Sequence, residues 1–146
     1  MWIDRLRTFA AALWWGSLST LGLLVVPMLF AKLSSSVMAG NMAAQLFSAQ
    51  TWVSVGCGVL LLLCLKRNTA AAQATSAPLA TMLIVAGLLL ALLVEFAVAP
   101  RILARENLKL WHGVGSAMYL GQWLCAGALV WLLPSRATHQ AATMIG

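Results

Sequence analysis

Two short stretches hold nearly all the residues able to do chemistry inside an otherwise apolar chain. Glu95 is the only charged residue between Pro78 and Pro100. His112, Ser116, Tyr119 and Gln122 follow within the next apolar run. A carboxylate in hydrocarbon costs on the order of 3 kcal/mol on insertion scales, so it turns toward protein rather than lipid. Gly87, Ala91, Glu95 and Ala99 are four residues apart, which puts them on one helix face, and three of the four are small enough for close helix approach. His112, Ser116, Tyr119 and Trp123 share a face of the next helix, with Gln122 beside them. Its other flank, Gly113, Ala117, Gly121 and Cys125, is small and suited to packing. Glu95 lies five residues before Pro100, and Ser116 five after Trp111. In an antiparallel hairpin those depths coincide, so Glu95 is expected to hydrogen-bond Ser116, Tyr119 or, one turn higher, His112.

Three readings of this cluster stay open. The first is structural, an acid tied to hydroxyls that glues two helices. The second is a path for a proton, an ion or a solute, because intramembrane acids near a histidine recur in such paths. The third is a metal or haem site. There His112, Met28, Met38, Met42 and Met118 would supply the soft donors that suit copper. No M-x-x-M or H-x-x-H pair occurs, and a b-type haem would want a second axial ligand. No resident cofactor is therefore expected, with copper or haem b as the alternatives. Catalysis is not expected either: there is no G-x-S-x-G, no H-E-x-x-H and no phosphate loop.

The elements that position these residues are long apolar helices. The chain has 146 residues, 62% hydrophobic and 8% charged, where a soluble domain carries roughly a quarter charged residues. This is an all-α, four-helix transmembrane bundle with room for one domain, residues 1–136. Its spans cover about 8–31, 43–65, 78–100 and 111–133, with a tail at 137–146. The net charge of +6 is no nucleic-acid signal, because the bases sit at the ends of apolar runs, where they anchor helices. Trp2, Asp4, Arg5 and Arg7 form such an anchor, and Trp14 and Trp15 lie at the edge of an aromatic belt. The first apolar run is too long for a signal peptide and no A-x-A site closes it, so it is expected to be retained. Cys57, Cys64 and Cys125 fall inside apolar runs and read as small buried side chains.

Small faces recur in the first two helices: Ala12, Gly16 and Thr20, then Gly40, Ala44, Ser48, Trp52 and Gly56. Asn41 and Gln45 stand above the membrane or line the bundle. Lys32 to Ser36 is a polar turn, Asn68 to Ala77 a linker, and Pro100 and Pro134 end the last two spans. Four spans put both termini on one side. Arg5, Arg7, Lys66, Arg67 and Arg136 share it, against Lys32, Arg101, Arg105 and Lys109 on the other, a balance that puts the termini in the cytoplasm. PMLFAK at Pro27 to Lys32 echoes PRILAR at Pro100 to Arg105. The chain thus reads as two similar helical hairpins.

Several motifs resemble one family. They are W-W-G at Trp14 to Gly16, VVPMLFAKL at Val25 to Leu33, and A-G-x-x-x-x-x-L-F at Ala39 to Phe47. A-P at Ala99 and Pro100 and W-H-x-x-x-S at Trp111 to Ser116 follow. Over Phe9 to Leu133 the chain is similar to the domain of unknown function 4149, whose animal relatives are of the transmembrane protein 205 type. Those relatives are small four-span proteins associated with platinum-drug tolerance and suspected of metal or drug handling; for bacterial members the resemblance implies no settled activity. A more distant likeness is to CopD-like copper-resistance membrane domains, but their multiple intramembrane histidines are missing here. The resulting expectation is a multi-pass protein of the bacterial inner membrane, embedded in the lipid bilayer, related to transport or metal tolerance, and working as a homo-oligomer. The alternatives are an accessory subunit of a larger membrane complex and a haem or copper redox protein.

Overall fold

A computed structural model describes residues 2–67 and 77–133. The expected linker at 68–76, Pro134 and the tail at 137–146 lie outside the described residues. The described chain is almost wholly helical, interrupted only by the connections at 33–35 and 104–107: α1 (Trp2–Thr20), α2 (Val26–Lys32), α3 (Ser36–Arg67), α4 (Ala77–Leu93), α5 (Ala99–Leu103) and α6 (Leu108–Leu132). Two π-helical turns, Leu21–Val25 and Val94–Val98, join α1 to α2 and α4 to α5 as continuous rods. Among the described residues, three helices are long and apolar enough to cross a membrane: Trp2–Lys32, Ser36–Lys66 and Pro78–Leu103. The fourth, α6, has 25 residues and is about 37 Å long at 1.5 Å per residue, and it carries the polar cluster.

Each π turn ends two residues before a proline, Val25 before Pro27 and Val98 before Pro100. The repeat seen in the sequence therefore has a counterpart in the backbone. Proline has no N–H, so Pro27 and Pro100 cannot donate to the preceding turn. A π turn one step earlier widens the helix, and Val26 and Ala99 then bond back five residues, to Leu21 and Val94. The helix survives the proline. Pro100 does not end its span, as the sequence suggested: α5 continues to Leu103.

The π turns divide the bundle into a packed half and an open half. In the packed half α1 lies on α3 and α6, α3 on α4, and α4 on α6. Its core is built from Ala10, Ala11, Trp14 and Leu18 of α1, Cys57, Leu61 and Leu65 of α3, Ala80 and Ile84 of α4, and Ala126, Leu129 and Leu133 at the end of the chain's last span. Lipid supplies no hydrophobic drive between helices, so close contact through small residues must do the packing. A Cβ on Gly58 would stand 2.6 Å from Leu88 Cδ2, and one on Gly87 3.0 Å from Trp14 Cη2. Past the π turns the main helix contacts are α2 with α3 and α5 with α6. The two hairpins therefore meet at one end and part at the other.

Several sequence expectations are corrected here. Trp14 is fully buried rather than interfacial, because Gly87 makes a slot for its indole. Arg7 is 4% exposed, folded into the packed end beside Asp4 at 3.4 Å. Ala12 and Thr20 face outward, and a Cβ on Gly16 would meet nothing within 4 Å. Gly113 and Ala117 also face outward, and only Gly121 and Cys125 of that flank reach the fold, near Leu90 and Gly87. Asn41 and Gln45 are exposed.

Candidate functional site

The open half encloses a cavity of about 550 Å³ between the hairpins. It runs from Leu18 and Trp123 at its floor to Phe30 and Leu103 near the helix ends. All four rods contribute. Gly22, Leu23 and Val26 come from the first, Gly40, Ala43, Ala44 and Phe47 from α3, and Val94, Glu95, Val98, Ala99 and Ile102 from the third. From α6 come His112, Gly115, Ser116, Tyr119, Leu120 and Trp123. The face assigned from sequence to His112, Ser116, Tyr119 and Trp123 is the face that lines it.

Four of the five predicted site residues thus share one cavity, but their bonds differ from those expected. Glu95 Oε1 accepts a hydrogen bond of 2.6 Å from the Ser48 hydroxyl of α3, not from α6. Tyr119 turns away and donates to the Leu18 carbonyl at 2.8 Å. His112 Nδ1 lies 2.9 Å from the Leu108 carbonyl one turn back. A carbonyl only accepts, so Nδ1 is the donor in this contact. Ser116 forms no side-chain hydrogen bond among the described residues. These groups do lie near one level, but two helices, α3 and α6, flank Glu95 there, and α3 supplies its partner. The Cβ of Gly22 is missing where the Tyr119 ring lies, only 2.9 Å from an added carbon, and this brings the phenol to α1 instead.

Gln122 belongs to a different structure. It is buried beneath the cavity and donates to Ser54 Oγ at 2.8 Å. Gln50 donates to Ser17 Oγ at 2.9 Å, and Ser54 donates back to the Gln50 carbonyl at 3.0 Å. Trp123 Nε1 donates to Ser19 Oγ at 2.8 Å. A polar layer therefore ties the first, second and last spans across the middle of the bundle. With Ser48 to Glu95 and Tyr119 to Leu18, it closes the cavity floor by joining one hairpin to the other. Ser17, Ser19, Gln50 and Ser54 were the residues missed. Their signal was present, since polar groups in apolar helices are buried only in company, but the sequence did not say which would meet.

The metal candidates do not converge. Met28 and Met42 are exposed on the outer surface, and Met118 is absent from the cavity lining. Their thioethers therefore do not join His112. Among the described residues no three His, Cys, Asp or Glu side chains come together in a metal-holding group.

The family described as Domain of unknown function (DUF4149) matches residues 9–109. The chain belongs to that family. In this DUF4149 protein the matched segment takes in both π turns, both prolines, Ser48 and Glu95. His112, Ser116, Tyr119 and Gln122 lie past its end. Comparison with curated proteins and with solved structures gives no match. The CopD-like likeness finds no support in these comparisons.

Proposed function

We propose that this is a transport- or tolerance-related protein of the bacterial inner membrane that takes a solute into the cavity between its hairpins, with Glu95 as the polar anchor. The observation that carries the reading is the cavity itself. It is within the ~300–1,000 Å³ usual for small-molecule sites, mostly apolar, and furnished with a few convergent polar groups. Glu95 is half-buried with Oε1 engaged by Ser48, and its side chain borders the cavity. Metal handling draws less support, since a lone carboxylate and a lone imidazole fall short of the oxygen-rich shells of hard cations and the thioether sets of copper. The protein acts without catalysing a reaction and has its termini in the cytoplasm. The test is solute flux or tolerance in cells carrying Glu95→Gln. Loss of function with normal folding is the expected result. Unchanged function would overturn the proposal.

A second reading, an oligomer or an accessory subunit, is favoured by one specific feature. Ala12, Gly16 and Thr20 form a small face on α1 that nothing among the described residues covers. Faces of that kind let transmembrane helices pack closely. Co-purification from native membranes as a defined complex would support it, and a monomer there would count against it.

A further inference from the structure

We propose that the cavity is selective for a lipophilic organic monocation, an apolar body bearing a single quaternary or protonated nitrogen or an equivalent onium centre. The inference rests on the reading of the cavity as a solute site and names the solute class. Among the described residues the cavity lining contains one acid, Glu95, and no lysine or arginine. The other titratable groups facing it are His112 and Tyr119 of α6; the first rod and α3 supply none. Lys32, Arg105 and Lys109 are exposed at the same end of the bundle, and Arg101 stacks on Trp111 at 4.3 Å. None of these bases lines the cavity.

Phe30, Phe47, Tyr119 and Trp123 add aromatic rings to an otherwise mostly aliphatic lining. Phe47 and Tyr119 pack edge to face with centroids 5.3 Å apart, and Trp123 lies against Trp15 at 5.6 Å. Ring faces attract cations through their quadrupoles, and the effect strengthens when water is excluded. A carboxylate in a mostly apolar cavity that also presents aromatic rings complements a positive centre that carries greasy substituents. It does not suit an anion, which would meet Glu95 unpaired. It does not suit a small hydrated metal ion either, which the apolar walls cannot resolvate.

The test uses the full chain in lipid nanodiscs, with empty nanodiscs subtracted. Equilibrium dialysis measures binding of three probes similar in size: tetraphenylphosphonium (cationic), triphenylphosphine oxide (neutral) and tetraphenylborate (anionic). The expected result is preferential binding of the cation, weakened about tenfold or more by Glu95→Gln, as follows from losing the partner of a partly desolvated charge pair. The neutral probe should bind more weakly and ignore the substitution. Equal binding of cationic and neutral probes, unaffected by Glu95→Gln, would overturn the selectivity while leaving a solute cavity in place. Binding of no probe to the unsubstituted chain would bring down the solute reading as well. Should Glu95→Gln fail to fold, Phe47→Leu serves instead. It keeps an apolar wall and removes a ring, so cation affinity should fall about threefold with the neutral probe unchanged. Equal loss for both probes would reject the proposal.

Discussion

The bond between Ser48 and Glu95 lends itself to a double-mutant cycle. Ser48→Ala removes the donor, and Glu95→Ala removes both acceptor oxygens; Gln at 95 would leave a carbonyl for Ser48 to keep. The bond is 2.6 Å long and half-buried, and it joins the two hairpins. Hydrogen bonds to charged groups contribute about 1.5–3 kcal/mol in soluble proteins. Across transmembrane helices, cycles average about 0.6 and reach about 1.7 kcal/mol, because the unfolded helices find other partners. A short bond at a cavity floor belongs near the upper end of that range, so the coupling should be about 1–1.5 kcal/mol. The same cycle between Glu95→Ala and Ser116→Ala should give zero within about 0.3–0.5 kcal/mol. Reversible unfolding in mixed micelles, followed by circular dichroism, measures both. Additivity for Ser48 together with coupling for Ser116 would refute the geometry and restore the partner expected from sequence.

Other outcomes follow from the packed half and the polar layer. Gly58→Ala should destabilise by about 1–3 kcal/mol through overpacking, because the new methyl would stand 2.6 Å from Leu88 Cδ2. Adding Leu88→Ala should recover part of the loss in the same unfolding assay. Ser54→Ala should cost about 1–3 kcal/mol, since Gln122 and Gln50 both lose a partner in a fully buried position. Ser36→Ala at the exposed start of α3 is its control and should be nearly neutral. Tyr119→Phe should cost about 0.6–1.7 kcal/mol, keeping the ring against Phe47 while releasing the Leu18 carbonyl.

The helices were legible because length and apolarity alone decide them. The hairpin repeat was legible as a six-residue echo, and the two π turns give it physical content. The turns themselves were not readable: Pro27 and Pro100 announce a missing hydrogen bond, and whether a helix answers by stopping or by widening depends on its neighbours. Faces were half legible. A four-residue spacing advances about 400° in a helix of 3.6 residues per turn, so a stripe drifts about 40° at each step. Gly40, Ala44 and Ser48 therefore look inward, while Trp52 is 61% exposed. Glu95 is half-buried and bonded to a neighbouring helix, as its cost in lipid requires. Its partner was missed because depth arithmetic fixes a level, and two helices reach Glu95 at that level.

The account depends on two hairpins that touch below the π turns and separate above them. Spin-label distances in lipid nanodiscs address this directly, with one pair at Lys66 and Pro78 in the packed end and another at Asn41 and Leu103 at the open end. Both pairs join the second and third rods at matching depths. The mouth pair should be clearly farther apart than the packed pair. Equal separations would mean that the rods run together along their whole length, leaving no cavity for Glu95 to serve.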